Sequence, residues 1–122
     1  MLELVDLDET TQFRTQLQDD SGPVVLINTF TVPEGTVEQA VAAWKIDAEY
    51  FRSRPGYIST QLHAGIAGSR VLVNVAVWET GAHLGRAISD PAFAKAMENY
   101  PDGTVSRPHL FRKLAVPGLC VD

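Results

Sequence analysis

Two asparagines and a tryptophan stand out in stretches otherwise made of valine, leucine and isoleucine. Asn28 lies in VVLINTFTV (24–32), and Asn74 and Trp78 lie in RVLVNVAVWE (70–79). A carboxamide buried among aliphatic side chains without a partner costs about 1–3 kcal/mol, so each asparagine needs one. Asn74 and Trp78 are four residues apart; on a strand they share a face and lie about 13 Å from each other at ~3.3 Å per residue. If that face is the helix-covered one, two amides and an indole N–H converge on an apolar pocket, the usual composition of a small-molecule site. The other reading satisfies the amides with backbone or strand ends and leaves Trp78 as core.

Other residue types that do chemistry are thinly spread. His63, His83 and His109 are too far apart in sequence to suggest a metal triad, and no H-x-x-x-H or carboxylate cluster accompanies them, so no metal is expected. His63 or His109 could serve as a base if either faces the cavity. No G-x-G-x-x-G follows a strand, so no nucleotide cofactor is expected. Cys120 is the single cysteine and excludes an internal disulfide. Arg52, Arg54 and Arg86 read as solvated ion-pair partners, or as guides for an acidic ligand at a pocket mouth.

The elements that must hold these residues follow from pattern and punctuation. Val24–Val32 is β-branched, apolar and stopped by Pro-Glu-Gly, which reads as a strand. Thr36 and Gln39 have capping-box spacing, and Val37, Ala40, Val41, Trp44, Ala48 and Phe51 recur at helical steps as far as Arg54-Pro55-Gly56. Tyr57–Ile66 and Arg70–Glu79 read as an antiparallel pair joined at Ala67-Gly68-Ser69. A short helix is expected from Thr80 to about Ile88. Asp90-Pro91 then restarts a helix with Phe93, Ala96, Met97 and Tyr100 on one face. Arg107–Val116 is expected as the fourth strand, with Pro108 suited to its start or to an edge.

Strand, helix, strand, strand, helix, strand is the order of the split βαβ ferredoxin-like fold, an α+β architecture with an antiparallel sheet. The third strand is apolar on both faces, through Val71, Val73, Val75 and Val77 on one and Leu72, Ala76 and Trp78 on the other, so the sheet needs cover on both. The simplest second cover is another copy of the same sheet, which predicts a face-to-face homodimer.

The chain has 122 residues, 45% hydrophobic and 20% charged, which suits one domain. Residues 1–22 hold six acids against Arg14 and so carry the whole formal charge of −5. They read as an acidic arm, mobile or laid across a partner; residues 23–117 are the domain and 118–122 a tail. The balanced remainder offers no basic face to nucleic acid. No apolar run approaches a membrane span, and the acidic start does not look like a secretory signal, so the expected location is the cytoplasm.

Asn28-Thr29-Phe30, Arg54-Pro55-Gly56-Tyr57, Asn74-Val75-Ala76-Val77-Trp78-Glu79 and His109-Leu110-Phe111 together resemble the antibiotic biosynthesis monooxygenase family, of dimeric α/β barrel fold. The resemblance spans about residues 23–117. It is similar in particular to cofactor-independent oxygenases that convert anthrones to quinones in aromatic polyketide pathways, which carry an asparagine on strand one and an Asn and Trp four apart on strand three. It therefore implies Asn28, Asn74 and Trp78 as catalytic residues, Phe30, Phe51, His63, Phe93 and Met97 as substrate contacts, and a small aromatic molecule with O2 as reactants. Haem-degrading relatives are an alternative, but their haem-ligating histidine and helix-two tryptophan fall at Met97 and Ala87 here. The alternative of another class is a non-catalytic binding dimer that shapes a polyketide chain without oxidising it.

Overall fold

A computed structural model describes residues 2–121; Met1 and Asp122, the outermost residues of the expected arm and tail, lie outside the described residues. Along the chain run β1 (Glu3–Leu4), α1 (Phe13–Gln16), β2 (Val24–Thr31), α2 (Val37–Arg52), β3 (Tyr57–Ala64) and β4 (Val71–Trp78). They are followed by α3 (Gly81–Ile88), α4 (Pro91–Ala96), a 3₁₀ turn (Met97–Asn99) and β5 (Val105–Phe111). The sheet order is β1-β5-β2-β4-β3, parallel between β1 and β5 and antiparallel elsewhere. Without β1 this is the ferredoxin-like sheet that the element order predicts. Among the described residues no helix is long and apolar enough to cross a membrane.

β2 and β4 pair over their whole lengths, with Val24 opposite Trp78 and Thr31 opposite Val71. Alternation then sorts the side chains. Leu26, Phe30, Leu72, Ala76 and Trp78 turn towards the helices and are buried. Val25, Ile27, Val73, Val75 and Val77 turn the other way and are only half-buried. The core under the helices is divided in two. Val24, Leu26, Ala76, Trp78, Leu84, Ala87 and Leu110 form one cluster, and Phe30, Val32, Ala40, Ala43, Leu72 and Tyr100 form the other. Asn28 falls between Leu26 and Phe30, and Asn74 between Leu72 and Ala76, so both sit where the core divides.

Several boundaries differ from those read in the sequence. β5 starts earlier and ends at Phe111, not Val116. The carbonyl of Ser106 accepts from Val5 N–H at 2.9 Å, so this residue's backbone faces the β1 edge. Pro108, two residues on, faces the same way without an N–H, and β1 pairing stops after Ser106. Beyond it the Gln16 side chain takes over: Leu110 N–H donates to Oε1 at 2.8 Å, and Nε2 donates to the Leu110 carbonyl at 3.0 Å. The capping box does not form, because the Thr36 hydroxyl turns back to the Pro33 carbonyl at 2.6 Å. Thr80 and Asp90 do cap α3 and α4 through His83 and Ala92 N–H. The inward stripe of α2 is rotated from the expected one: Val41 is exposed, while Ala43 and Asp47 are buried.

The acidic arm lies across its own domain. Phe13 and Leu17 pack on the first core cluster. Ala82 N–H donates to the Asp19 carbonyl at 2.9 Å. Gly81 and Gly85, one turn apart on α3, make room for it: a Cβ on Gly81 would run into the Gln16 carbonyl, and one on Gly85 would come within 2.7 Å of the Leu17 carbonyl oxygen. Glycine in a helix interior, where Gly85 lies, costs about 1 kcal/mol relative to alanine. The close approach of the arm backbone accounts for both.

Candidate active site

Between the two core clusters lies a cavity of about 90 Å³. One water needs roughly 10–15 Å³, so the space has room for several. Its floor is the helix-facing side of β2, β4, β3 and β5. Its roof is α2 with Phe93 and Met97, and the arm adds Leu2, Leu4 and Phe13.

The floor carries the two asparagines side by side. Asn28 and Asn74 are direct cross-strand partners in register, which places their Cα atoms about 4.5–5.5 Å apart with side chains on one face. Each carboxamide oxygen is already taken: the Ser106 hydroxyl donates to Asn28 Oδ1 at 2.7 Å, and the Thr60 hydroxyl donates to Asn74 Oδ1 at 2.6 Å. With its oxygen held, each amide leaves its NH₂ for the cavity. Two parallel donors in an apolar chamber suit an oxyanion or a carbonyl.

Trp78 is 1% exposed and stands at the end of the same chamber, with Phe51 and Tyr57 edge-on to it at 5.7 Å each. Phe51 also meets Phe93 at 5.2 Å, and Phe30 stacks on Tyr100 at 5.4 Å. Asn28, Asn74, Trp78, Phe30, Phe51, Phe93 and Met97 thus all line one cavity.

His63 does not. On β3 the inward positions are Thr60 and Leu62, so His63 turns to the open face, is exposed, and approaches the Val73 carbonyl at 3.3 Å through Nδ1. His109 is also absent from the cavity wall. Gln16 Nε2 approaches its Nε2 at 3.2 Å. Because that amide nitrogen only donates, the ring proton sits on Nδ1, which is buried without a partner among the described residues. Arg54 pairs with Asp90 at 3.5 Å and lies over the Tyr50 ring at 5.1 Å, away from the chamber. No group of three or more metal-ligating side chains forms among the described residues.

The structure adds residues that the sequence reading passed over. Thr60 and Ser106 are diagonal neighbours of the asparagines, visible only once strand register is known. Asp47 is the larger omission. It is 7% exposed, lines the cavity, and accepts from the Tyr100 hydroxyl at 2.8 Å through Oδ2, while Oδ1 is buried with no partner. Burial pushes its carboxyl up to about 6, against a smaller opposing pull from the Tyr100 hydrogen bond. Tyr100 is raised in turn, first by burial and then by the Asp47 charge. The signal was an acid at a helical step from Ala40, Ala43 and Phe51, on the stripe that should be apolar.

The sequence profile of the family described as antibiotic biosynthesis monooxygenase matches residues 23–99. No curated protein matches the chain at a significant level. Among solved structures, a candidate monooxygenase from Shewanella loihica PV-4 is 34% identical, with 78% of this chain and 97% of that one covered and a TM-score of 0.65. SnoaB, a cofactor-independent oxygenase from Streptomyces nogalater, is 23% identical, covering 80% and 99% at a TM-score of 0.72. PA3566 from Pseudomonas aeruginosa is 21% identical, covering 79% and 98% at 0.65.

Proposed function

The chain belongs to the antibiotic biosynthesis monooxygenase family, and from that membership we propose that it is a cofactor-independent monooxygenase of aromatic polyketide assembly. Its substrate is a polycyclic phenol of the anthrone type, and O2 converts the ring methylene into a quinone carbonyl. The observation that carries this reading is the pair of amides lining the cavity floor, each with its oxygen held by a hydroxyl.

Ground-state O2 is a triplet and reacts slowly with closed-shell molecules, but an electron-rich enolate or phenolate can pass it one electron unaided. The protein's task is then to favour the substrate anion. Asn28 and Asn74 hold the developing oxyanion, and the apolar walls keep water from competing for it. Trp78 hydrogen-bonds the substrate carbonyl or the peroxide through its indole N–H, and Phe30, Phe51, Phe93 and Met97 sandwich the rings.

Losing one oxyanion donor typically costs a factor of about 10²–10³ in turnover. Asn74→Ala should therefore lose at least about a hundredfold in anthrone-dependent oxygen uptake while keeping its oligomeric state. Unchanged uptake would remove the amides from the reaction. Tryptophan quenching by anthrone with no uptake by the native protein would indicate binding without oxidation.

The working unit is a homodimer closed by the open faces of two sheets. The half-buried valine face of β2 and β4 supports it.

A further inference from the structure

We propose that Asp47 is the catalytic base of this cavity, the group that takes a proton from a weakly acidic C–H or O–H of the bound aromatic substrate. The inference rests on the oxygenase reading for its second half only; proton abstraction itself needs no oxygen.

The geometry singles out this residue. Of the cavity-lining side chains among the described residues, Asp47, Tyr57 and Tyr100 are the titratable ones, and Asp47 is the one carboxylate. Tyr100, which follows the 3₁₀ turn, holds Oδ2, and Tyr57 reaches the chamber from β3. Among the described residues, β2, β4, β5, α3, α4 and the arm contribute no charged group to the wall. Along α2, Asp47 lies between Ala43, which packs on one core cluster, and Phe51, which packs on the other. It therefore hangs from the roof over the divide where Asn28 and Asn74 form the floor. Tyr100 fixes the carboxylate by one oxygen and leaves Oδ1 without a donor. A purely structural aspartate would have both oxygens satisfied, since an unpaired buried carboxylate oxygen is destabilising. With no protein donor on it among the described residues, Oδ1 is the oxygen left to accept a proton from a molecule in the cavity. With its carboxyl raised to about 6, the group is mostly ionised at neutral pH yet basic enough to hold the proton it takes.

The full cycle balances. Oδ1 takes a proton from the methylene, and the C–H electrons stay on the substrate as an anion held by the amides. The anion gives one electron to O2, and the resulting radical and superoxide join in a C–O bond. Asp47 returns its proton to complete the hydroperoxide. It then takes the second C–H proton as the O–O bond breaks, and passes it to the departing hydroxide. Methylene and O2 become carbonyl and water, with four electrons moved from substrate to oxygen and the carboxylate regenerated.

The test separates the two halves. Under argon in D2O, the wild type should catalyse deuterium entry into the methylene of anthrone, and Asp47→Asn should do so about 10²–10⁴ times more slowly. The asparagine oxygen can still accept from Tyr100, and circular dichroism checks the fold. Tyr100→Phe removes the hydrogen bond that lowers the carboxyl, so its rate profile should keep the acid limb but shift it to higher pH. Exchange by Asp47→Asn at the wild-type rate, no exchange by the wild type, or an acid limb that Tyr100→Phe leaves unmoved would overturn the assignment. Exchange without aerobic oxygen uptake would overturn the oxygenase reading alone.

Discussion

Replacing Asp47 with asparagine should make the protein more stable at neutral pH while disabling it. The carboxyl titrates at about 6 in the fold against 3.8 when unperturbed, and each unit corresponds to about 1.4 kcal/mol. Holding it ionised therefore costs the native state on the order of 3 kcal/mol once the pH is above 6. Between the two values the folded protein binds more protons than the unfolded chain, so stability falls as pH rises through that window. Below about 3.8 the carboxyl is neutral in both states and the cost vanishes; asparagine has no such dependence. Urea unfolding of both proteins, extrapolated linearly to water, reads the difference. The variant's advantage should widen by roughly 2 kcal/mol between about pH 4.5 and about pH 7.5. A gap that does not change with pH, or an asparagine variant less stable at the higher pH, would refute the claim that this carboxylate sits charged in an apolar wall with one oxygen unmet.

Gly85→Ala should lift the arm, because its Cβ would meet the Leu17 carbonyl; limited proteolysis within residues 13–22 should accelerate while the sheet signal in circular dichroism stays, and an unchanged cleavage rate would mean that the arm is seated by other contacts. Val75→Glu, in the middle of the open sheet face, should convert a dimer to a monomer in size-exclusion chromatography with light scattering, without moving the Asn74 site on the opposite face. A dimer that survives it would place the subunit contact elsewhere.

The order of elements was legible because β-branched runs stop at Pro-Glu-Gly and Ala-Gly-Ser and the helical pattern stops at Pro-Gly, signals that act over a few residues. The shared face of Asn74 and Trp78 was legible for the same reason, since alternation is local. What the sequence hid depends on distance along the chain. Thr60 and Ser106 reach the asparagines through register across strands, and Gln16 reaches Leu110 across 94 positions. Thr36 looked like a cap, but the Pro33 turn offers its hydroxyl a nearer acceptor. Asp47 was masked because Val41, apolar and correctly spaced, drew the helix stripe one residue away from its true centre. His63, placed at the substrate by the family resemblance, is turned away because the bulge between Tyr57 and Ser59 shifts the strand's alternation, putting Thr60 and Leu62 inside and His63 outside.

The chamber draws its walls from two sources. Leu2, Leu4 and Phe13 close one flank, yet they precede the stretch that matches the family, which begins at residue 23. The reactive groups ride on the sheet and on α2, whereas this flank is a strap fastened by a side-chain clamp and two glycine seats. Exchange of the strap at Gly22-Pro23 would alter which molecules fit while leaving the proton-handling and oxyanion-holding groups in register. Selectivity and reactivity can thus diverge independently in descendants of this chain.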